Sequence, residues 1–201
     1  MTTLQHLKTN KIIAIIRGVS NNDLIPLVKA LYAGGIRSIE ITYNQSGNLN
    51  FTTTGIQQII ELGYEDLCVG AGSVLSIAQV DMAYNAGAKY IISPNTDPDI
   101  ILQTKKHGMV SMPGAMTPSE IVYAHKIGAD IVKVFPANIL GPSYFKSIMA
   151  PINHIFLSAV GGINEKNICE FQQIGINSFG ISNGIIDKKA ISLNDYNSIV
   201  N

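Results

Sequence analysis

The chain has 201 residues, of which 46% are hydrophobic and 14% are charged, and its formal net charge at pH 7 is zero. This composition excludes a disordered chain and is sufficient for one domain with a sizeable hydrophobic core. No basic run resembles a nucleic-acid footprint and no apolar stretch is long enough to span a bilayer, so we expect no nucleic-acid or membrane partner.

Short apolar runs alternate with longer amphipathic stretches from one end of the chain to the other. Strands are predicted at 12–17, 38–42, 67–71, 90–93, 109–112, 131–135, 155–159 and 178–181. Helices are predicted at 22–33, 53–61, 77–86, 97–106, 118–127, 142–150 and 165–174, with a short helix before the first strand and a final one within 193–200. Glycines follow most of these helices, at the position where a left-handed residue ends a helix.

Eight consecutive strand–helix units predict an α/β fold, a single-domain (β/α)8 TIM barrel that spans 1–201. The alternative is an open doubly wound sheet. Its Gly-rich dinucleotide-binding motif is missing after the first strand, where Arg17-Gly18-Val19 stands instead. At this length a barrel has little room for inserted loops.

Cysteines and histidines form no metal-binding motif in the sequence. Cys68 and Cys169 stand alone, which fits two buried free thiols in a reducing compartment, and the N-terminal segment carries no apolar signal core. We therefore expect a cytoplasmic protein. The histidines fall in predicted helices or at the N-terminal ends of strands, and they are His6, His107, His125 and His154. Their positions predict neither a metal site nor a histidine base.

A lone lysine, Lys133, stands inside the predicted strand at 131–135, between valines and close to Ile131 and Phe135. Such surroundings are typical of a buried strand in a parallel sheet. Burial disfavours a charged ammonium, and a lysine that loses its proton near neutral pH is a nucleophile for carbonyl carbon. The alternative is a residue at an edge or strand end, whose stem packs on apolar surface while its head reaches water.

Strand alternation places Arg17, Glu40 and Lys133 on inward faces near the C-terminal end of the predicted barrel. In barrels of this type the active site lies at that end. A buried ion network that only fills space is the alternative interpretation, but such networks contribute little stability because desolvation offsets the attraction. Perturbed charged groups cluster at active sites, which favours a catalytic interpretation.

These three side chains suit carbon–carbon bond chemistry beside a keto group. Lys133 would form a Schiff base, whose iminium stabilises a carbanion at the adjacent carbon. Glu40 serves as a general acid/base if burial raises its pKa toward neutrality, and Arg17 holds an anionic group of the substrate. The apolar ring of Phe135 helps to keep the amine unprotonated.

Two glycine-containing loops predict a phosphate site. Gly161-Gly162 leaves the seventh strand, with Asn164 a candidate N-cap for the next helix, and the segment 179–184 closes the eighth strand. Loops at these two positions form the usual phosphate site of such barrels, although a Gly-Gly pair also fits an ordinary tight turn. The loops at 70–74, 93–96 and 112–117 belong to the same rim, and for them turn chemistry and substrate contact are equally open.

Five motifs, in this order, carry a resemblance to a known family: Ala-Gly-Gly-Ile-Arg-Ser-Ile-Glu-Ile-Thr, Val-Gly-Ala-Gly-Ser-Val-Leu, Ile-Ser-Pro-Asn, Val-Lys-Val-Phe-Pro-Ala and Ala-Val-Gly-Gly-Ile. Over nearly its whole length the chain resembles the aldolases for 2-keto-3-deoxy-6-phosphogluconate (KDPG), 2-keto-3-deoxy-6-phosphogalactonate and 4-hydroxy-2-oxoglutarate. The resemblance implies a cofactor-free, homotrimeric (β/α)8 barrel. It also implies a class I aldolase that cleaves a small keto-acid substrate to pyruvate and glyceraldehyde 3-phosphate.

The resemblance assigns roles to individual residues. The family's Schiff-base lysine falls on Lys133, its general acid/base glutamate on Glu40 and its substrate-binding arginine on Arg17. The residue near the pyruvyl carboxylate and the two residues of the pocket wall fall on Ser73, Pro94 and Phe135. The phosphate contacts fall on Gly161, Gly162, Gly180, Ser182 and Asn183.

Three positions depart from the gluconate-type pattern. Asn44 stands where gluconate-type members carry an arginine and galactonate-type members an asparagine, so it is a candidate substrate contact. Val160 replaces a threonine before Gly-Gly, and Asn183 replaces a serine in the last phosphate loop, where Ser182 is a substitute donor. These departures bear on the C4 configuration of the substrate and on its phosphate, and they leave the aldol chemistry unchanged.

Two functions of other classes are compatible with the same residues. Another phosphate-binding barrel, an isomerase or a synthase, would use Lys133 electrostatically and form no imine. A noncatalytic sensor of sugar-acid phosphates would have no use for Lys133 and Glu40 as a reactive pair. Among aldolases, cleavage of 4-hydroxy-2-oxoglutarate is the alternative main activity, because that substrate shares the pyruvyl half.

Overall fold

The computed structural model describes residues 1–200. Its strands are β1 (Ile12–Ile16), β2 (Ser38–Thr42), β3 (Cys68–Gly72), β4 (Tyr90–Ile92), β5 (Val110–Met112), β6 (Gly114–Ala115), β7 (Val132–Val134), β8 (Leu157–Val160) and β9 (Phe179–Ile181). Its helices are α1 (Thr3–Thr9), α2 (Asn21–Ala33), α3 (Asn50–Ile60), α4 (Ile77–Asn85), α5 (Pro98–Lys106), α6 (Pro118–Lys126), α7 (Ala137–Met149), α8 (Ile168–Gln173), α9 (Lys188–Ser192) and α10 (Asn197–Val200).

The strands pair in parallel in the order β5-β4-β3-β2-β1-β9-β8-β7-β6. Only Pro113 separates β5 from β6, so the two pieces occupy one strand position. β5 pairs with β4 and β6 pairs with β7, and the Lys133 N–H donates to the Pro113 carbonyl at 2.9 Å. The ring therefore contains eight strand positions, which confirms the prediction of a (β/α)8 barrel.

The interruption at Pro113 was not predicted from the sequence. Proline has no N–H to donate to a ladder, so it divides the fifth strand into two short pieces. Its carbonyl still accepts a hydrogen bond from β7, and the neighbouring piece continues to Ala115. The fifth strand consequently runs past the predicted end at 112.

The core has two layers because alternate strand residues face opposite sides. Outward-facing apolar residues such as Ile39 and Ile41 pack against the surrounding helices. Inward-facing residues fill the N-terminal half of the barrel, where Leu7 of α1 packs among Ile13, Cys68, Tyr90, Ile92, Val110, Met112 and Ile131. A capping box between Thr2 and Gln5 starts α1. The short first helix therefore packs against the base of the barrel interior.

Several helix boundaries differ from the prediction. The helix predicted at 165–174 forms only over α8, because the Asn164 side chain accepts from the Lys166 N–H in a turn instead of capping a helix. Helix α7 begins before the predicted start at 142 and contains a kink at Gly141, whose φ is 73°. The helix predicted within 193–200 is present as α10, and α9 precedes it.

The two cysteines lie in different environments. Both are free, and burial raises the pKa of the Cys68 thiol to about 12. The prediction of burial is wrong for Cys169, which lies on an exposed face of α8. Among residues 1–200, none of the helices has the length and apolar character needed to cross a membrane.

Candidate active site

A cavity of about 1280 Å³ opens at the C-terminal ends of the strands. Its wall is formed by strand ends and loops from β1, β2, β3, β4, β7, β8 and β9. All the predicted site residues line it: Arg17, Glu40, Asn44, Ser73, Pro94, Lys133, Phe135, Gly161, Gly162, Gly180, Ser182 and Asn183. The fold thus brings these residues together, while their individual roles remain predictions.

Lys133 lies in the middle of β7 and points into the barrel, with only 6% of the residue exposed. Burial lowers the pKa of its amine; the Glu40 carboxylate opposes this shift and the Arg17 guanidinium adds to it. The amine lies 5.0 Å from the centroid of the Phe135 ring. Within residues 1–200 it forms no ion pair at a distance of 4 Å or less. This is an amine biased toward its neutral, nucleophilic form.

Glu40 lies in the middle of β2 and is 1% exposed. Burial raises the pKa of its carboxyl, and the positive charges of Lys133 and Arg17 partly offset the shift. Its Oε2 atom has no hydrogen-bond partner among the described residues. A buried acid with an unpaired oxygen, on a residue that lines a cavity, is suited to exchange protons with a bound molecule.

Two glycines of β3 make room for the interior side chains. A Cβ atom at Gly72 would lie 1.6 Å from Oε1 of Glu40, and a Cβ atom at Gly70 would lie 2.3 Å from the Tyr90 ring. Tyr90 is fully buried, and its hydroxyl donates to the Ile39 carbonyl at 2.6 Å. The Gly-Ala-Gly segment is part of β3, which ends at Gly72. Positions 70 and 72 require glycine because the side chains of Tyr90 and Glu40 occupy the space that a Cβ atom would need.

Arg17 follows β1 directly, and its guanidinium donates from Nη2 to the Ser73 hydroxyl at 3.0 Å. This is the one hydrogen bond that the Arg17 side chain makes within residues 1–200. Ser73 follows β3 and has a φ of 56°, a left-handed conformation that is unfavourable for a residue with a Cβ atom. The guanidinium therefore retains several donors for an anionic ligand.

The two glycine-containing loops lie side by side on the cavity wall. Gly161 and Gly162 have φ values of 99° and 68°, and a Cβ atom at Gly162 would lie 2.3 Å from the Asn138 side chain. The Ser182 carbonyl accepts from the N–H groups of residues 185 and 186. Both loops are thus tight turns that also face the cavity, and the phosphate site stays a prediction.

Gln45 and Lys166 are among the polar residues of the cavity wall that sequence reasoning missed. Each follows a predicted site segment, Gln45 after Asn44 and Lys166 after the Gly-Gly loop, and this adjacency was the available signal. Sequence reasoning also missed Gln79 of α4, whose Nε2 donates to Oε1 of Gln45 at 2.9 Å. A glutamine on an amphipathic helix is ordinary, so the sequence contains no signal for that contact.

The cavity combines an amine whose pKa is lowered with a carboxyl whose pKa is raised. When the pKa values of two groups at one site shift in opposite directions, one group can act as the nucleophile and the other can transfer protons. The nearby guanidinium of Arg17 favours a substrate that carries a carboxylate. The arrangement is suited to covalent capture of a keto acid, followed by proton transfer at a neighbouring atom.

Comparison with known proteins adds a family and two curated relatives. The model of the KDPG and KHG aldolase family matches residues 4–201. A probable 2-dehydro-3-deoxy-6-phosphogalactonate aldolase of Rhizobium meliloti is 35% identical over 87% of this chain and 81% of its own length. A 2-dehydro-3-deoxy-phosphogluconate aldolase of Treponema pallidum is 31% identical over 85% of this chain and 80% of its own length.

Among solved structures, the chain is similar to the KDPG aldolase of Legionella pneumophila. The TM-score is 0.89 at 25% sequence identity, over 100% of this chain and 95% of that one. In that structure pyruvate was captured at low pH as a covalent carbinolamine intermediate.

Proposed function

The chain belongs to the KDPG and KHG aldolase family, and on that premise we propose that it is a class I aldolase that cleaves a 2-keto-3-deoxy-6-phospho sugar acid of the gluconate or galactonate type. The products are pyruvate and glyceraldehyde 3-phosphate. The observation that carries the proposal is the buried amine of Lys133 in the same cavity as the buried carboxyl of Glu40, with pKa values shifted in opposite directions.

The reaction begins with carbon–nitrogen bond formation. The neutral amine of Lys133 attacks the C2 carbonyl of the substrate to give a carbinolamine, which loses water and becomes an iminium. Arg17 and the Ser73 hydroxyl bind the adjacent carboxylate, so that the ketone is held over the amine. Pro94 and Phe135 provide apolar wall beside the pyruvyl half.

Carbon–carbon cleavage follows. Glu40 removes the proton of the C4 hydroxyl, the C3–C4 bond breaks, and its electron pair passes to the iminium to form an enamine. The C4 fragment leaves as an aldehyde, glyceraldehyde 3-phosphate. Glu40 then returns its proton to C3, and water hydrolyses the resulting iminium to release pyruvate and regenerate Lys133.

The remaining wall residues recognise the rest of the substrate. We assign the phosphate to backbone N–H groups and side chains of the two glycine-containing loops, namely Gly161, Gly162, Gly180, Ser182 and Asn183. The Asn44 side-chain oxygen accepts from the N–H and hydroxyl of Ser46 at 3.2 and 3.1 Å. Its amide nitrogen is therefore the group available to donate to a substrate hydroxyl near C4.

Borohydride trapping tests the proposal. Pyruvate with sodium borohydride should inactivate the enzyme irreversibly and increase the mass of the peptide that contains Lys133. A panel of both phosphorylated epimers and 4-hydroxy-2-oxoglutarate should release pyruvate. An enzyme that is neither trapped nor releases pyruvate from any of the three would be an isomerase, a synthase or a sensor instead.

We further propose a cytoplasmic homotrimer. Its support is the family resemblance, two free cysteines, and large apolar side chains exposed on α5, α6 and α7, with Leu102 57% and Ile139 74% exposed. Light scattering on the purified protein should give three times the chain mass of 21.6 kDa. A mass equal to one chain would contradict the trimer.

A further inference from the structure

We propose that Gln45 and Gln79 are positioning residues that hold Ser73, and through it Arg17, where the carboxylate of the substrate binds. The inference rests on the proposed function, because it concerns the carboxylate end of the same cavity. Gln79 does not line the cavity, so its effect must pass through Gln45 and Ser73.

A chain of hydrogen bonds links the four residues and passes through both the hydroxyl and the main-chain carbonyl of Ser73. Arg17 Nη2 donates to the Ser73 hydroxyl at 3.0 Å, and Gln45 Nε2 donates to the Ser73 carbonyl at 2.6 Å. Gln79 Nε2 donates to Gln45 Oε1 at 2.9 Å, and Gln79 Oε1 accepts from the Leu75 N–H at 2.7 Å. The part formed by Gln45 and Gln79, which we call the relay, runs from Ser73 to Leu75 and therefore starts and ends on one loop, the segment that follows β3.

The two ends of the relay fix the orientation of both amides. The Leu75 N–H can only donate, so the atom of Gln79 that faces it must be the oxygen, and Gln79 must then donate to Gln45. The Ser73 carbonyl can only accept, so Gln45 must present its nitrogen there. Both orientations agree, which leaves neither amide free to flip without breaking two hydrogen bonds.

The conformation of Ser73 explains why such a relay is needed. Its φ of 56° is unfavourable for a residue with a Cβ atom, so the loop requires restraints to stay in this conformation. Gln45 restrains the Ser73 carbonyl, and Gln79 restrains the N–H two residues later. Gln79 is 3% exposed and its carbonyl accepts from the Tyr43 hydroxyl, so it is a rigid support for the loop.

The link to function is the single hydrogen bond of Arg17. Because the guanidinium makes its one side-chain hydrogen bond to Ser73, a shift of that hydroxyl leaves Arg17 without an anchor. A guanidinium without an anchor samples more rotamers and binds a carboxylate less well. Loss of the relay should weaken capture of any pyruvyl group and spare the bond-breaking step at Glu40.

The first test replaces Gln79 with methionine, which keeps the length of the side chain and removes both hydrogen bonds. The pyruvate concentration that gives half-maximal borohydride inactivation should rise by about ten-fold. KM for the phosphorylated substrate should rise by a similar factor, while kcat changes by less than about three-fold. The matched control is Gln57→Met on the exposed face of α3, which should leave both values unchanged.

The second test separates positioning from general damage. Gln45→Met should raise the half-saturating pyruvate concentration in the wild-type background and have little effect in an Arg17→Met background, because its influence passes through Arg17. An equal rise in both backgrounds would overturn the inference. This comparison of Gln45→Met in two backgrounds also tests the inference if Gln79→Met fails to fold, because Gln45 is exposed.

The outcomes distinguish this inference from the proposed function. If the wild-type enzyme is not trapped by pyruvate and borohydride, the aldolase proposal fails. If the wild-type enzyme is trapped and folded Gln79→Met and Gln45→Met are trapped at unchanged pyruvate concentrations, the aldolase proposal stands and the positioning role is wrong.

Discussion

Arg17 and Arg37 lie at opposite ends of the barrel, and their guanidinium groups differ in how many hydrogen bonds they make within the fold. Arg37 precedes β2 at the N-terminal end, where it donates to Asp66 at 2.7 Å and to the carbonyls of Tyr32 and Ile36, and it stacks on the Tyr32 ring. Arg17 follows β1 at the C-terminal end and makes one side-chain hydrogen bond. At the N-terminal end the hydrogen-bond donors of Arg37 are satisfied within the fold. At the C-terminal end Arg17 keeps donors that a ligand can use.

Two combinations of a lysine and a carboxylate, one at each end of the barrel, differ in a similar way. Lys105 and Asp130 form an ion pair of 2.7 Å on the N-terminal side, and Asp130 also accepts from the Ser111 N–H. Lys133 and Glu40 share the cavity without an ion pair within 4 Å in residues 1–200. A tight pair would favour the protonated amine, so the separation is consistent with a lysine that must react as a nucleophile.

Replacement of Lys133 by methionine should have the largest effect on activity of the changes proposed for the two ends of the barrel. The change removes the nucleophile, so borohydride trapping should disappear and kcat should fall by at least about 10³-fold. The matched control is Lys105→Met, which should retain trapping and turnover because its ion pair is structural. Pyruvate-dependent labelling of the Lys133→Met protein at another lysine would show that the wrong amine was assigned.

Glu40→Gln should lower kcat by about 10²- to 10⁴-fold because it removes the proton-transfer group. Trapping should persist, and its pH profile should shift to lower pH. The Glu40 carboxylate raises the pKa of Lys133, so its loss lowers that pKa and makes the neutral amine available in more acidic solution. Glu61→Gln, an exposed residue at the end of α3, is the control. Normal turnover by Glu40→Gln would contradict its assigned role.

Arg17→Met should raise the half-saturating pyruvate concentration by about ten- to a hundred-fold, since a charged hydrogen-bond donor to the carboxylate is lost. The pH profile of trapping should move in the opposite direction to that of Glu40→Gln. Arg17 lowers the pKa of Lys133, so its removal raises that pKa and shifts the profile to higher pH. Shifts of the two variants in the same direction would rule out this electrostatic coupling.

Arg37→Met should have the smallest effect on function and should act on stability alone. The thermal midpoint should fall by a few degrees at neutral pH, while trapping and kcat stay unchanged. Hydrogen bonds from Tyr32 and Arg37 lower the pKa of Asp66, so this contribution to stability is complete only well above the ordinary aspartate pKa of about 4 and is lost as Asp66 is protonated in more acidic solution. The difference between the midpoints of wild type and variant should therefore become smaller at low pH, as differential scanning calorimetry can measure. The part that remains reflects the hydrogen bonds of Arg37 to the Tyr32 and Ile36 carbonyls and its stacking on the Tyr32 ring.

The sequence contained enough information for the barrel and for the inward position of Glu40 and Lys133, because both depend on short periodicities. The two-residue period of β2 and β7 put Glu40 and Lys133 on the inner face, and the helix-ending glycines marked successive units. Contacts between distant elements were not accessible in this way. The Gln45–Gln79 hydrogen bond joins residues 34 positions apart, and the exposure of Cys169 depends on which face of α8 packs inward.

The 1.6 Å separation between a hypothetical Cβ at Gly72 and Oε1 of Glu40 ties the identities of two positions together. A methyl group at 72 would force the Glu40 side chain to move, whereas a shorter acid at 40 would withdraw the carboxyl from its present place on the cavity wall. The residue at 72 therefore limits where an acid at 40 can lie. A protein engineer who wishes to reposition the acid has to choose the two residues together.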